Sequence, residues 1–337
     1  MTDDDNDSLY PYYFGAVGAL SLYWLTIPRE QKLPDLTGKR VIITGASSGI
    51  GKGLTEICAI AGGHVIMAVR DTELGRREKD IIINKYRNKK LSIDVEELDL
   101  QSLESIDKFA STQSNVDVLI NNAGILQPKY TLHATKSHLF ESTMLTNYVG
   151  PFYLTMRLLP SMINSAKLKN SYSHIINVSS KLEKNANITM SNFKTIFNGK
   201  SDSYSCWDAY AESKLLNIMF TIELQKRLLH NKVIAVAVTP GLVNTSLDRH
   251  VHSHPLMRYV TYPFKRIFLK SPETSALAIV NLTALTPPGD VDSKVIPYYS
   301  NMKAIQPANK VFEDNRETER LAQEIFNHTM DRLGLGR

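Results

Sequence analysis

The stretch "VIITGASSGIG", residues 41–51, decides the fold. "VIIT" is a short run of β-branched residues, the pattern of a strand. "TGASSGIG" (44–51) follows without a break, and "GKGLTEICAIAG" (51–62) then reads as a helix closed by Gly62 and Gly63. Gly45, Gly49 and Gly51 allow the backbone to turn tightly and to approach a ligand closely. Ser47, Ser48 and Ile50 lie between those glycines. A turn of this kind at a helix N-terminus offers free N–H groups and a partial positive charge, which suit a phosphate. The spacing is G-x-x-x-G-x-G, which is neither G-x-G-x-x-G nor a P-loop. Its position after a first strand, opening a helix, is therefore what makes it informative.

Moving outward, short apolar runs alternate with longer helical stretches. "HVIMAV" (64–69), "IDVEELDL" (93–100), "VDVLI" (116–120), "HIINV" (174–178) and "VIAVAV" (233–238) read as strands, and "KVIPYY" (294–299) as a seventh. Helices are expected over 72–86, 103–111, 137–165 and 207–229. Strands joined through helices imply right-handed crossovers and a parallel sheet. The predicted fold class is thus α/β: a doubly wound, Rossmann-type parallel sheet of six to seven strands with helices on both faces. In such a sheet ligands bind beyond the carboxyl ends of the strands. Two irregular stretches follow such ends, Lys181–Cys206 and Leu242–Ser271. Their aromatics, among them Phe193, Phe197, Tyr204, Tyr259 and Phe264, with Trp207 just beyond the first, suggest an apolar substrate lid; the other reading is a satellite core or a surface that docks the lid on the membrane.

After the second strand comes "AVRD". An acid there holds the ribose 2′-hydroxyl of NAD, whereas an arginine accommodates the 2′-phosphate of NADP. Arg70 favours NADP(H), and Asp71 beside it leaves NAD(H) open. "AYAESK" (209–214) places Tyr210 and Lys214 one helical turn apart, on one face. For an isolated Y-x-x-x-K, a solvated surface pair is the ordinary reading.

The glycine loop, "NNAG" (121–124), "NVSS" (177–180) and "YAESK" (210–214) occur in order, each at a strand end or on the helix after one. With them the chain resembles the short-chain dehydrogenase/reductase family over roughly residues 38–300. Within it, the chain is most similar to membrane-associated retinol dehydrogenases and to the WW-domain oxidoreductase. The resemblance implies hydride transfer between a nicotinamide and an alcohol or carbonyl. It makes Tyr210 the general acid/base, with Lys214 lowering its pKa and holding the nicotinamide ribose. It places Ser179 on the substrate oxygen, with Ser180 as the alternative, and Asn147 in a proton relay. It also places Asn121 and Gly124 on the adenosine side, Asp99 and Leu100 against the adenine, and Pro240, Gly241 and Val243 over the nicotinamide. Family members often form dimers or tetramers through their long helices, so a homodimer is compatible. A tyrosine pKa lies near 10, and bringing it toward ~7 requires about 4 kcal/mol of differential stabilisation. The spacing of 31 residues from Ser179 to Tyr210 departs from the roughly dozen that many members show.

Composition narrows the alternatives. The chain has 337 residues, a net charge of +5 and no long basic block, which gives no case for nucleic acid. Two cysteines make no disulfide framework. No metal site is expected: "HVHSH" (250–254) lacks an accompanying carboxylate or cysteine cluster. Residues 8–28, "SLYPYYFGAVGALSLYWLTIP", carry no charge and are long enough to span a bilayer. They could equally lie in the interface or form a hairpin. Arg29 and Lys32 follow, so the positive-inside rule places the main domain on the cytoplasmic side, at the endoplasmic reticulum or a lipid droplet. Three regions are expected: a membrane segment and linker (1–37), the oxidoreductase domain (38–310, lid about 242–272) and a C-terminal helix and tail (311–337). The reading from another class is a membrane-tethered dinucleotide-binding or scaffold protein without turnover.

Overall fold

The computed structural model of the chain describes residues 33–135, 138–199, 201–241, 271–285 and 296–336. The apolar segment 8–28, the "HVHSH" histidines, Val243 and the expected lid up to residue 270 lie outside the described residues.

An eight-stranded sheet forms the centre. Its strands are β1 (Arg40–Thr44), β2 (His64–Val69), β3 (Ser92–Glu97), β4 (Val118–Asn121), β7 (Ser173–Val178), β8 (Val233–Val238), β9 (Tyr298–Ser300) and β10 (Lys303–Ala304). They lie in the order β10-β9-β8-β7-β4-β1-β2-β3. All neighbours are parallel except β9 and β10. The expected six to seven strands are present, and the eighth is this antiparallel edge. The strand order reverses between β1 and β4, so a crevice opens where those two strands end.

The β1 side chains alternate between two cores, as a strand period of two requires. Val41 and Ile43 pack on one face, with Leu54 and Cys58 of α1 (Gly49–Ile60), Ile82 of α2 (Thr72–Lys85) and Ala276 and Ile279 of α6 (Pro272–Val280). Ile42 packs on the other. There it meets Ile106 of α3 (Leu103–Ser111), Phe152 of α4 (Gly150–Leu168), Phe220 of α5 (Cys206–Arg227) and Phe326 of α7 (Asn315–Leu333). Helices thus cover both faces, which is the doubly wound arrangement.

Two expectations need correction. The helix expected from residue 137 begins later. β5 (Leu132–Thr135) and β6 (His138–Glu141) form a separate antiparallel pair, and helical structure starts at Ser142. Short-period alternation in "LHAT" and "HLFE" outweighs the helical pattern there. Part of the expected lid is also core. Phe193 and Phe197 are buried, their rings 5.7 and 5.3 Å from His328 of α7. Tyr204 is held by Glu141 Oε1 (2.9 Å) and the Gln127 carbonyl (2.8 Å). Among the described residues no helix is long and apolar enough to cross a membrane.

Candidate active site

The expected site residues among those described lie at or near the carboxyl edge of the sheet. Gly45 ends β1 with a left-handed φ of +64°, which glycine adopts freely. Gly51 could not carry a side chain: a Cβ there would lie 2.1 Å from the Gly45 carbonyl. Ser47, Ser48, Gly49 and Ile50 are partly exposed along the loop. Ser48 is the N-cap of α1 but makes no side-chain capping bond, and the first turn holds no acid. α2, α3, α5, α6 and α7 are all capped by a side chain. The free N–H groups and positive end of α1 therefore face the crevice unspent, which fits a dinucleotide pyrophosphate.

At the end of β2, Arg70 is exposed, and Asp71 caps α2 by accepting from Leu74 N at 2.9 Å. Asp99 is partly exposed and its Oδ1 accepts from Gln101 N at 2.9 Å. Leu100 is buried in the core beside α4. Asn121 lies at the end of β4. Its side chain is buried and donates to Thr155 Oγ1 (2.9 Å) and Asn177 Oδ1 (2.8 Å), tying β4 to α4 and β7. Its neighbour Asn122 braces the glycine loop instead, donating to the Thr44 carbonyl at 2.9 Å. The "NN" pair signalled a role here without saying which amide takes it.

Helical structure between β6 and α4 contains one π turn, Leu145–Val149, with Asn147 at its centre. Such turns concentrate at functional sites. Asn147 is buried, and its amide is fully committed: Oδ1 accepts from Ile125 N (2.8 Å), and Nδ2 donates to the Ile125 carbonyl (2.9 Å) and Ser213 Oγ (3.1 Å). It fixes the backbone after Gly124. A Cβ on Gly124 would stand 3.4 Å from both Asn147 Oδ1 and Lys214 Nζ.

Tyr210 and Lys214 occupy successive turns of α5, both buried, with Nζ 5.4 Å from the phenol ring centroid. Lys214 Nζ donates to the Val178 carbonyl at 3.0 Å. Burial lowers its pKa to about 8. Burial also pushes the Tyr210 phenol up to about 12, and the hydroxyl of Ser180, its hydrogen-bonding neighbour, pulls it the other way. Burial is the larger of these two influences on the phenol. Glu212, between them in sequence, is raised to about 7 by burial, with Asp208 and Glu141 adding repulsion.

The two serines after β7 part company. Ser179 is buried and its Oγ donates to the Lys214 carbonyl at 2.7 Å. Ser180 is partly exposed and is the one beside the phenol. Adjacent residues in extended chain point to opposite sides, so only one can face the crevice. Beyond β8, Pro240 and Gly241 are partly exposed, and Gly241 has φ +83°.

Comparisons with known proteins bear on the family and the fold. Residues 39–195 match the short chain dehydrogenase family model. Human "Retinol dehydrogenase 13" is 34% identical over 314 residues, covering 91% of this chain and 87% of that protein. Mouse "Retinol dehydrogenase 14" is 35% identical over 71% of this chain and 72% of its own length. Among solved structures, an uncharacterized protein from Mycobacterium Paratuberculosis superposes with a TM-score of 0.59 at 30% identity, over 88% of this chain and 96% of that one. A Pseudomonas aeruginosa NADP complex shares the fold, with a TM-score of 0.56 at 19% identity over 80% and 96% of the two chains. With its glycine loop, its tyrosine–lysine pair and these relatives, the chain belongs to the short-chain dehydrogenase family, oxidoreductases that act on CH–OH and carbonyl groups.

Proposed function

We propose that this chain transfers hydride between NADP(H) and an apolar alcohol or carbonyl of retinoid, steroid or fatty-aldehyde type. One observation carries the reading: a buried phenol lies beside Ser180, with Lys214 Nζ 5.4 Å from its ring, at the same carboxyl edge of the sheet as the glycine loop. The nicotinamide supplies or accepts the hydride and, when oxidised, adds a positive charge. The chain's own residues bind, orient and manage one proton. Tyr210 donates it to the carbonyl oxygen in reduction and takes it back in oxidation. A pKa near 12 keeps Tyr210 loaded as the acid. Ser180, rather than Ser179, hydrogen-bonds the substrate oxygen. Lys214 holds the nicotinamide ribose, and Asn147 serves by fixing the backbone around it. Pro240, Gly241 and Val243 cover the ring. The names of the relatives support the substrate class. The test is NADPH oxidation against a panel of apolar aldehydes and ketones; a panel that leaves NADPH untouched defeats the reading.

Two further assignments belong to this proposal. Arg70 reads the 2′-phosphate, because its guanidinium is exposed while the neighbouring Asp71 carboxylate is engaged in capping α2. Arg70→Asp should weaken NADPH binding by at least about 10-fold, in line with a lost charge-assisted pair, and spare NADH. An unchanged cofactor preference in titrations rejects Arg70 as selector. Residues 8–28 tether the chain to a membrane with the domain on the cytoplasmic side. Deleting residues 1–28 should move the protein from the membrane pellet to the supernatant; persistent pelleting rules the segment out as sole tether.

A further inference from the structure

Ser180 begins a 3-10 turn, Lys181–Asn185, that leads away from the candidate site. Its Oγ accepts from Leu182 N at 3.3 Å, and its carbonyl accepts from Glu183 N at 3.1 Å. Glu183 is the middle of that turn, and it is only 1% exposed. A carboxylate so deeply buried is costly unless it is paired. Among the described residues no cation lies within ion-pair distance of it. It is held instead by two backbone donors from far along the chain: Ala308 N to Oε1 (2.8 Å) and Asn309 N to Oε2 (3.1 Å). The buried Asn309 side chain completes the clamp, donating to the Glu183 carbonyl (2.8 Å) and the Ala186 carbonyl (2.9 Å).

We propose that Glu183 is a positioning residue: its carboxylate pins the turn that starts at Ser180 to residues 308–309 and so fixes the Ser180 hydroxyl against Tyr210. The inference rests on Tyr210 and Ser180 being the pair that meets the carbonyl oxygen. Burial raises the Glu183 pKa, and the two backbone donors oppose that rise. The two backbone donors go to different oxygens; a glutamine there would present one acceptor oxygen and one N–H₂, whereas a carboxylate accepts at both. The anchor lies three residues from the hydroxyl it steadies, within one turn. That leaves little slack for Ser180 to drift, and small misplacements of reacting groups are expensive in rate.

The test uses the full chain with tyrosine labelled with ¹³C at Cζ, the Tyr210 resonance being identified by its loss in Tyr210→Phe. Glu183→Gln keeps the volume but turns an N–H₂ toward a backbone N–H. It should move the Tyr210 resonance in the same direction as Ser180→Ala does. It should also lower kcat for aldehyde reduction about 10- to 100-fold while leaving the KM for NADPH unchanged. Glu183→Asp retains the charge and withdraws it by one methylene; it should give an intermediate shift, and it supplies the comparison if the glutamine variant does not fold. A Tyr210 resonance that stays in place in the folded variants overturns the proposal, whatever happens to Tm. Should the wild type reduce no carbonyl, the catalytic reading fails while the resonance still decides the positioning.

Discussion

Tyr210→Phe should abolish most turnover, lowering kcat about 10²–10⁴-fold, the usual contribution of a positioned general acid. NADPH binding and Tm should stay near the wild-type values. The reason lies in what the substitution leaves alone. The ring is buried, 7% exposed, and phenylalanine fills the same volume. With its pKa raised to about 12 the phenol is neutral at pH 7, so no charge is lost from the fold. The Lys214 ammonium remains bonded to the Val178 carbonyl and keeps an aromatic face 5.4 Å away. Only the oxygen beside Ser180 disappears, and with it the proton that the product alcohol needs. A variant whose kcat falls less than about three-fold, below the range for general acid catalysis, removes Tyr210 from the chemistry. It would leave the chain a dinucleotide-binding protein with a coincidental tyrosine.

Much of the sheet and the site was legible because its signals are local. β1, β2, β7 and β8 are apolar runs buried on both faces; the glycine loop, "NNAG" and "NVSS" follow strand ends, and "YAESK" lies on α5. The glycine loop is read from backbone chemistry alone, since positive φ at Gly45 and Gly49 needs no distant partner. What escaped depends on neighbours far away in sequence. Nothing in "NVSS" says which hydroxyl faces α5: Ser179 turns to the Lys214 carbonyl, 35 residues on, and leaves Ser180 at the crevice. "NNAG" likewise hides that Asn121 belongs to a buried network with Thr155 and Asn177. Glu183 read as one more polar residue in an irregular stretch. Its partners Ala308 and Asn309 lie more than a hundred residues downstream. Phe193 and Phe197 looked like lid residues for the same reason, because the helix that buries them is the last one in the chain.

That last helix, α7, should prove indispensable to the domain. Phe326→Ala should destabilise the chain by about 3–5 kcal/mol, the cost of emptying a core aromatic site. Phe326 is 1% exposed. Its ring stands 5.1 Å from that of Phe152 in α4 and 6.1 Å from that of Phe220 in α5, and the Arg227 guanidinium lies 4.2 Å from its centroid. Truncation therefore removes contacts to two helices and a cation at once, and the rigid sheet behind them limits collapse into the void. At about 2 cal/mol/K of unfolding entropy per residue, the loss corresponds to a fall in Tm of roughly 5–8 °C by calorimetry. A fall in Tm of under about 1 °C, far below the cavity cost, would mean that α7 rests on the domain without supporting it. The anchoring of Phe193 and Phe197 by His328, and of Arg332 to Asn198 Oδ1 at 2.9 Å, would then have to be maintained by the stretch between Ser179 and Tyr210 itself.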